Sequence, residues 1–299
     1  MNMLRLYPIP QPIEVRAAGK VLIGAEAEGA LKRYLRKAEP GLRSWTTTTW
    51  TQFAKEITTT EINTIALTGD LPAETAARLE AQYTTYINEN VAPRWKQAMA
   101  AGSKLAPSNV RELLTADVIS EWAERRGETL FKGLIDVQQR AVSALVRAAT
   151  TTNPLDQKTL ASLIAPILGL KQQDVNALLE AQKLLAAKGL NLDTQRHRLG
   201  QMASRRQAIR AERIARTELA SAFNGGTQVT MERAEASGAF EGKLVRVWRA
   251  QRGNSCAVCG KLNGKETNMK DPFDGKYNIP PAHPSCRCVV LYEERPRGA

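Results

Sequence analysis

The segment Gln195–Phe223 reads QRHRLGQMASRRQAIRAERIARTELASAF, and its spacing indicates the architecture of the second half of the chain. Its last turns carry an apolar stripe formed by Ala215, Leu219, Ala222 and Phe223. Such a stripe is typical of a helix that packs on a core. Seven arginines and one acidic residue lie between Gln195 and Thr217. The pattern therefore predicts a long helix that is basic in its first part and buried in its last part.

The arginines of this helix form a candidate nucleic-acid site. Arg206, Arg210 and Arg213 follow the i, i+4, i+7 spacing and are expected to share one face. A guanidinium group binds phosphate through its charge and its planar fork. The pattern favours sequence-independent contact with DNA or another polyanion. The alternatives are a solvated charged face or ion pairs with neighbouring helices. The residues of the expected site are Arg196, Arg198, Arg205, Arg206, Arg210 and Arg213.

The composition fits a globular protein that meets an anionic partner. The chain has 299 residues, is 43% hydrophobic and carries a formal net charge of +12. From residue 189 to residue 299, 19 Lys and Arg against 11 Asp and Glu leave +8 of that excess. A charge of this size favours nucleic acid or an anionic surface as the partner. The lack of any run of 18 apolar residues argues against a membrane span. The first residues lack a secretory signal, so we expect the protein to fold in a cytoplasm.

Four cysteines and one histidine near the end of the chain form a candidate metal site. The sequence gives Cys256-Ala-Val-Cys259-Gly and, after a loop, His283-Pro-Ser-Cys286-Arg-Cys288. In a cytoplasm, such crowding indicates metal ligands before it indicates disulfides. A tetrahedral zinc ion needs four ligands. Two sets are sensible: Cys256, Cys259 and Cys286 with either His283 or Cys288.

We predict that the ion is a structural zinc, because four protein ligands leave no position open for a catalytic water. The loop between the two halves of the motif holds little hydrophobic material, so a metal would supply much of its order. Residues i and i+2 of a strand point the same way, and Cys286 and Cys288 are therefore both expected to face the site. The alternative is four cysteines that are unliganded or disulfide-linked and clip the same loop.

The remaining sequence predicts a mainly α protein, with a helical body and a small C-terminal α+β module closed by the Cys/His cluster. An extended Pro-rich arm is expected to fray or to lie along a neighbouring subunit, which would allow self-association. The predicted divisions are the arm (1–23), an N-terminal helical region of unknown role (24–110), a helical core with the basic helix (111–238) and the module (239–299).

Local signals predict where the helices of the body begin and end. A short helix is expected over 25–37, stopped near Pro40-Gly41. The Thr-rich stretch 45–60 favours a strand or an irregular segment, since threonine is a poor interior helix residue. Helical spacing then runs, with breaks, from Leu71 to about residue 188.

The C-terminal module is expected to begin after the basic helix has ended. The sequence Asn224-Gly225-Gly226 predicts a turn or a helix end, followed by one more helix to about residue 238. Strands are expected at 243–250 and 286–293. The first of them should place on one face the side chains of Leu244, Arg246 and Trp248.

An ordered series of short motifs runs through the last third of the chain. They are Arg213-Ile-Ala-Arg216-Thr217-Glu218, Asn224-Gly225, Val247-Trp248, Cys256-x-x-Cys259, Asn263-Gly264 and Pro281-Ala-His283-Pro-Ser-Cys286-Arg-Cys288. This series resembles the C-terminal domain of the phage Mu F-like head morphogenesis (minor capsid) family. The resemblance covers about residues 115–293 and is sharpest after Arg213. The specificity comes from the order of the motifs and not from any one of them.

The resemblance implies a low-copy, non-enzymatic protein of a tailed bacteriophage head, located inside the capsid near the portal vertex. The implied partners are the portal protein, the major capsid protein and packaged double-stranded DNA. The implied location is the virion, preceded by the host cytoplasm during assembly. The motif residues expected to have a structural role are Arg216, Thr217, Glu218, Asn224 and Trp248. We expect Arg216 and Glu218 to tie the basic helix to the module through buried ion pairs.

Two other functions compete with the head role. A DNA-processing enzyme such as a nuclease would use the Cys/His cluster, but the chain offers only His197 and His283 and no evident acidic triad. A zinc-knuckle nucleic-acid-binding module would read base edges, whereas arginines spread along one helix favour phosphate contact.

Overall fold

The structure, a computed structural model, describes residues 20–149, 155–253 and 255–296. Over these residues the chain is mainly helical with one small antiparallel sheet, which confirms the predicted fold class. The expected Pro-rich arm lies outside the described residues as far as residue 19. Its last four residues, Lys20–Ile23, form a strand.

Most of the expected helices are present, and several are longer than expected. The α-helices are α1 (Glu26–Glu56), α2 (Thr59–Thr68), α3 (Ala73–Tyr86), α4 (Ala92–Ser103), α5 (Ala116–Arg147), α6 (Gln157–Ile167), α7 (Gln172–Ala187), α8 (Leu192–Ala236) and α9 (Ala257–Leu262). The strands are β1 (Lys20–Ile23), β2 (Lys243–Arg249), β3 (Glu266–Asn268) and β4 (Val289–Arg295). A π-helical segment, Ile87–Val91, joins α3 to α4, and a 3-10 helix, Ser108–Leu113, precedes α5. Within the described part of the chain, every helix is too short or too polar to cross a membrane.

Two compact units can be distinguished, each built from separate pieces of the chain. The sheet unit comprises Met1–Pro40, Pro93–Ala123 and Arg213–Ala299. The helical unit comprises Gly41–Ala92 and Glu124–Glu212. The domain boundaries expected from the sequence stay a prediction, because neither unit is a continuous stretch of chain that could be matched to them.

The expectation that the first helix stops at Pro40 is wrong, because α1 continues to Glu56. A proline inside a helix removes one backbone donor and crowds the preceding turn, which burial of the rest of the helix can offset. Buried residues recur along α1 on both sides of Pro40 at helical spacing. They are Leu31, Leu35, Leu42, Trp50 and Phe53.

The Thr-rich stretch is also helical, against the expectation of a strand or an irregular segment. Several of its hydroxyls donate within the helix to carbonyls four residues earlier, as that of Thr46 does to Leu42 O at 2.8 Å and that of Thr49 to Trp45 O at 3.0 Å. Thr46 is buried and also lies 2.5 Å from the Tyr86 hydroxyl. Thr58 is the N-cap of α2 and forms a capping box with Glu61. Tertiary burial and capping thus override the low helix propensity of threonine.

The longest helix, α8, runs unbroken through Asn224-Gly225-Gly226, so the expected turn is absent. These glycines allow close packing instead. A Cβ built at Gly226 would lie 2.1 Å from the Met99 carbonyl oxygen in α4, and one at Gly102 would lie 1.9 Å from the Phe223 carbonyl oxygen. The backbones of α4 and α8 therefore approach each other at positions where any side chain would collide.

The sheet has the order β1-β4-β2-β3 and is antiparallel throughout. Strand β2 pairs with β4 over its full length, from Lys243 opposite Arg295 to Arg249 opposite Val289. The expected inward face of β2 is confirmed: Leu244, Arg246 and Trp248 are buried. Strand β4 begins at Val289, three residues later than expected, because the preceding segment belongs to the Cys/His cluster.

We predict that Gly226→Ala lowers the free energy of unfolding by about 1–3 kcal/mol, because the new methyl group overlaps the Met99 carbonyl. Urea denaturation of the full chain measures the change. The matched control is Gly200→Ala in the same helix, where a Cβ would meet nothing within 4 Å. The control should be neutral or stabilising by about 0.5–1 kcal/mol. Equal stability of the two variants would contradict the close packing of α4 against α8.

Candidate functional site

The cysteines and histidine of the motif converge at one point of the sheet unit. His283 Nε2 lies 3.1 Å from Cys256 Sγ and 3.0 Å from Cys259 Sγ. Cys259 Sγ lies 3.7 Å from Cys286 Sγ. Cys256 is exposed, whereas the other three cysteines are buried as free thiols. The arrangement could hold a metal ion.

Two overlapping groups of ligand atoms make up this cluster, and Cys259 belongs to both. The first group joins Cys256, Cys259 and His283, and the second joins Cys259, Cys286 and Cys288. In each group the ligand atoms all lie within 4.8 Å of one another. The structure thus brings together all five expected candidates, although Cys286 and Cys288 precede β4 and are not residues of a strand.

Short-range hydrogen bonds fix both halves of the cluster. Cys256 is the N-cap of α9, and its Sγ accepts a hydrogen bond from the Cys259 amide at 3.4 Å. Asn263 ends α9 and accepts a hydrogen bond from the Ala250 amide at 3.0 Å, which ties the cysteine turn to the end of β2. His283 Nδ1 lies 2.9 Å from the Pro284 carbonyl oxygen. Since a carbonyl can only accept, Nδ1 carries the proton and Nε2 is free to act as a ligand.

The proximity of the buried thiols shifts their acidities in opposite directions. Hydrogen bonds from Cys259 and Cys288 hold the pKa of the Cys286 thiol well below its usual range. The hydrogen bond to Cys286 raises the pKa of the Cys259 thiol. The neighbouring thiols thus favour the thiolate form of Cys286. A metal ion bound in the cluster would displace the protons of the cysteines that coordinate it.

A row of polar side chains on α8 holds the C-terminal half of the cluster. Thr217, Asn224 and Gln228 follow i, i+7, i+11 spacing and share one face. The Ser285 amide donates to Thr217 Oγ1 at 3.0 Å, and Asn224 Nδ2 donates to the Cys288 carbonyl at 3.2 Å. The Tyr292 hydroxyl donates to Gln228 Oε1 at 2.6 Å. We call these three residues the α8 polar row.

The other expected motif residues have structural contacts within the sheet unit. Trp248 is fully buried and meets Phe273 edge-on, with ring centroids 5.2 Å apart. Arg216 forms a bidentate ion pair with Glu39 of α1, at 3.0 Å and 2.6 Å. This partner differs from the expected one in the Cys/His module. Glu218 is buried.

The expected nucleic-acid residues divide into two groups. Arg206 forms an ion pair with Asp174 at 2.7 Å. Arg210 donates to the Gly169 carbonyl at 2.7 Å and lies over the Trp50 ring at 5.3 Å, and burial lowers its pKa. Arg196 pairs weakly with Asp193 at 3.6 Å. The residues of the set that are exposed are Arg198, Arg205 and Arg213.

The expected i, i+4, i+7 face of Arg206, Arg210 and Arg213 thus carries two arginines with contacts inside the helical unit, and its role in binding phosphate stays a prediction. Two of its three members are engaged inside the helical unit, where Arg210 stabilises the loop after α6. Gly169 in that loop has φ +75°, and a Cβ there would lie 2.2 Å from the Trp50 ring. The pair of Arg206 with Asp174 of α7 is the kind of ion pair that one alternative described, whereas Arg210 contacts a carbonyl and an aromatic ring.

Sequence reasoning missed the role of Arg246, which is buried to 2% exposure in β2. Its guanidinium donates to the carbonyl of Asn268, the last residue of β3, and to those of Asp271 and Asn278 in the loop that follows, at 2.5–2.9 Å. It also lies 5.1 Å from the centre of the Phe273 ring, and burial lowers its pKa. The available signal was a charged residue at an inward position of an alternating strand, between Leu244 and Trp248.

Comparison with known families identifies one similarity. Residues 182–291, more than a third of the chain, match the family described as Phage Mu protein F like protein. The match contains the α8 polar row, β2 and the Cys/His cluster, and it confirms the resemblance indicated by the motif series. No curated protein and no solved structure is significantly similar to this chain.

We predict that Asn224→Ala destabilises the sheet unit by about 1–3 kcal/mol, because the buried Cys288 carbonyl loses its donor. Chemical denaturation of the full chain under reducing conditions measures the effect. Ser204→Ala is the matched control, since the Ser204 hydroxyl donates only to Gly200 O of its own helix in the described part of the chain. If both variants unfold at the same denaturant concentration as the unmodified chain, Asn224 does not anchor the cluster.

Proposed function

We propose that this chain is a minor head protein of a tailed bacteriophage that acts in head assembly near the portal and the packaged DNA. The observation that carries the proposal is the match of residues 182–291 to the phage Mu F-like family. The geometry supports it, since the matched motif residues serve to fold one module. We place the protein in the capsid interior, after assembly in the host cytoplasm, with the portal or major capsid protein as partner. Self-association through the N-terminal arm belongs to the same proposal.

The proposed DNA contact lies on the outer side of α8. Arg198, Arg205 and Arg213 are exposed, and steps of seven and eight residues keep them close to one face of a helix. Guanidinium groups in such a row meet successive phosphates without reading base edges. We therefore propose sequence-independent contact with double-stranded DNA, made by these three arginines and not by Arg206 or Arg210.

We further propose that the Cys/His cluster holds a structural zinc ion. The donor set fits, since thiolates and imidazole are the ligands that zinc prefers in closed tetrahedral sites. The cluster offers no carboxylate, so nothing in it favours the metal chemistry of a nuclease. The ion would join the α9 turn to the segment that the α8 polar row holds, and no catalytic step is assigned to it.

Quantitative mass spectrometry of purified particles tests the head role. We expect this chain at a few copies per particle in virions of the phage that encodes it, and also in its DNA-free procapsids. The major capsid protein in the same samples provides the copy-number standard. Absence of the chain from both kinds of particle would overturn the proposal.

For the DNA contact, we predict that the triple variant Arg198→Ala, Arg205→Ala and Arg213→Ala weakens binding to a short random-sequence duplex. A plot of the logarithm of the association constant against the logarithm of the salt concentration has a negative slope. The magnitude of this slope should fall by about 3, roughly one for each phosphate that an arginine no longer neutralises. Fluorescence anisotropy at several salt concentrations measures both quantities. Circular dichroism confirms that the variant keeps its helices.

The control for this measurement removes the same charge from another exposed helix face. Its substitutions are Arg33→Ala, Arg36→Ala and Arg43→Ala in α1. The control should keep the affinity and the salt slope of the unmodified chain. An equal loss of affinity in both triple variants would mean that net charge, and not the α8 face, governs binding.

A further inference from the structure

We propose that the zinc ligands are Cys256, Cys259, His283 and Cys286, and that Cys288 is a buried thiol outside the coordination sphere. This inference rests on the structural zinc proposed above and decides between the two ligand sets that the sequence leaves open. It does not depend on the head role of the protein.

The position of His283 gives the first argument. Its Nε2 atom is about equally distant from Cys256 Sγ and Cys259 Sγ, at 3.1 Å and 3.0 Å. The Pro284 carbonyl accepts a hydrogen bond from Nδ1–H, with Nδ1 and the oxygen 2.9 Å apart, which orients the ring with the Nε2 lone pair toward both sulfurs. A hydrogen bond from the non-ligating nitrogen to a carbonyl is the usual support of a zinc-bound histidine. A ligand set without His283 would leave this oriented nitrogen unused.

Cys286 supplies the fourth ligand through a tight turn. Its amide donates to the His283 carbonyl at 3.1 Å, and Ser285 between them has φ +64°. The turn presents both side chains to the α9 cysteines. Cys286 Sγ is 3.7 Å from Cys259 Sγ. Two sulfurs on one tetrahedral zinc, each about 2.3 Å from the ion, are expected about 3.8 Å apart.

Cys288 has a different environment from Cys286. Like Cys286, it groups with Cys259 and not with Cys256 or His283, but it lies beyond the turn in which the Cys286 amide donates to the His283 carbonyl. Asn224 anchors its carbonyl to α8, a contact that faces the core of the sheet unit, and Cys288 is as deeply buried as Cys286. A buried thiol of this kind behaves as a small apolar group that fills the core.

Zinc X-ray absorption spectroscopy of the full, unmodified chain tests the ligand set without any substitution. We expect one zinc per chain and a first shell of three sulfurs and one nitrogen. A shell of four sulfurs would overturn the inference, because Cys288 would then replace His283. A well-folded, reduced chain that purifies without zinc would instead overturn the proposed zinc site itself.

Substitutions then decide whether Cys286 or Cys288 is the third cysteine ligand of the zinc ion. Cys288→Ala should keep one zinc per chain, whereas Cys286→Ala and His283→Ala should each bind zinc more than about tenfold more weakly in competition with a chelator. Cobalt-substituted protein gives a second readout, since the sulfur-to-cobalt charge-transfer intensity should be unchanged in Cys288→Ala and reduced in Cys286→Ala. Loss of zinc and of this intensity in folded Cys288→Ala, with both retained in Cys286→Ala, would contradict the assignment.

Discussion

The close contact between the backbones of α4 and α8 is the constraint on which the rest of the sheet unit depends. At Gly102 and Gly226 each helix occupies the space in which the other would place a Cβ. This contact fixes the course of α8 through Asn224, where a shorter helix would have ended. Because α8 stays helical in that region, Thr217, Asn224 and Gln228 present their polar groups to one segment of chain, from Ser285 to Tyr292. The last strand and the cluster are thereby positioned by one helix face.

The Cys/His cluster is a consequence of that arrangement. Its two halves are separated by a long loop whose course is set by the buried Arg246, through hydrogen bonds to three carbonyls. Polar side chains that satisfy backbone carbonyls act together with an apolar core that includes Trp248, Phe273 and Tyr292. The sulfur and nitrogen atoms then meet at distances suited to a metal ion. A metal would complete a module that is already held from both sides, by α8 and by β2.

The arginines of α8 fall into two classes along the helix, those engaged with neighbouring groups and those exposed. Arg210 lies against Trp50 and caps the Gly169 carbonyl, and Arg206 is paired with Asp174. A guanidinium engaged in this way is less available to phosphate, because turning it outward would break its hydrogen bond and leave the partner without a donor. The proposed DNA contact is therefore confined to the exposed members. The exposure of each side chain separates the arginines available to a partner from those engaged inside the protein. The spacing of the arginines in the sequence does not make this distinction.

The sequence determined the helical class, the buried face of β2, the basic character of α8 and the identity of the five candidate ligands, because these depend on local periodicity and on residue chemistry. It misplaced the ends of α1 and α8, since Pro40, the threonines and Asn224-Gly225-Gly226 are breakers only where packing does not compensate for them. Only the tertiary structure decided that Arg216 pairs with Glu39, that Arg210 donates to the Gly169 carbonyl and that Asn224 holds Cys288. Each of these interactions joins residues more than 40 positions apart. Their energy comes from burial and from satisfied hydrogen bonds, which exist only once distant segments have met.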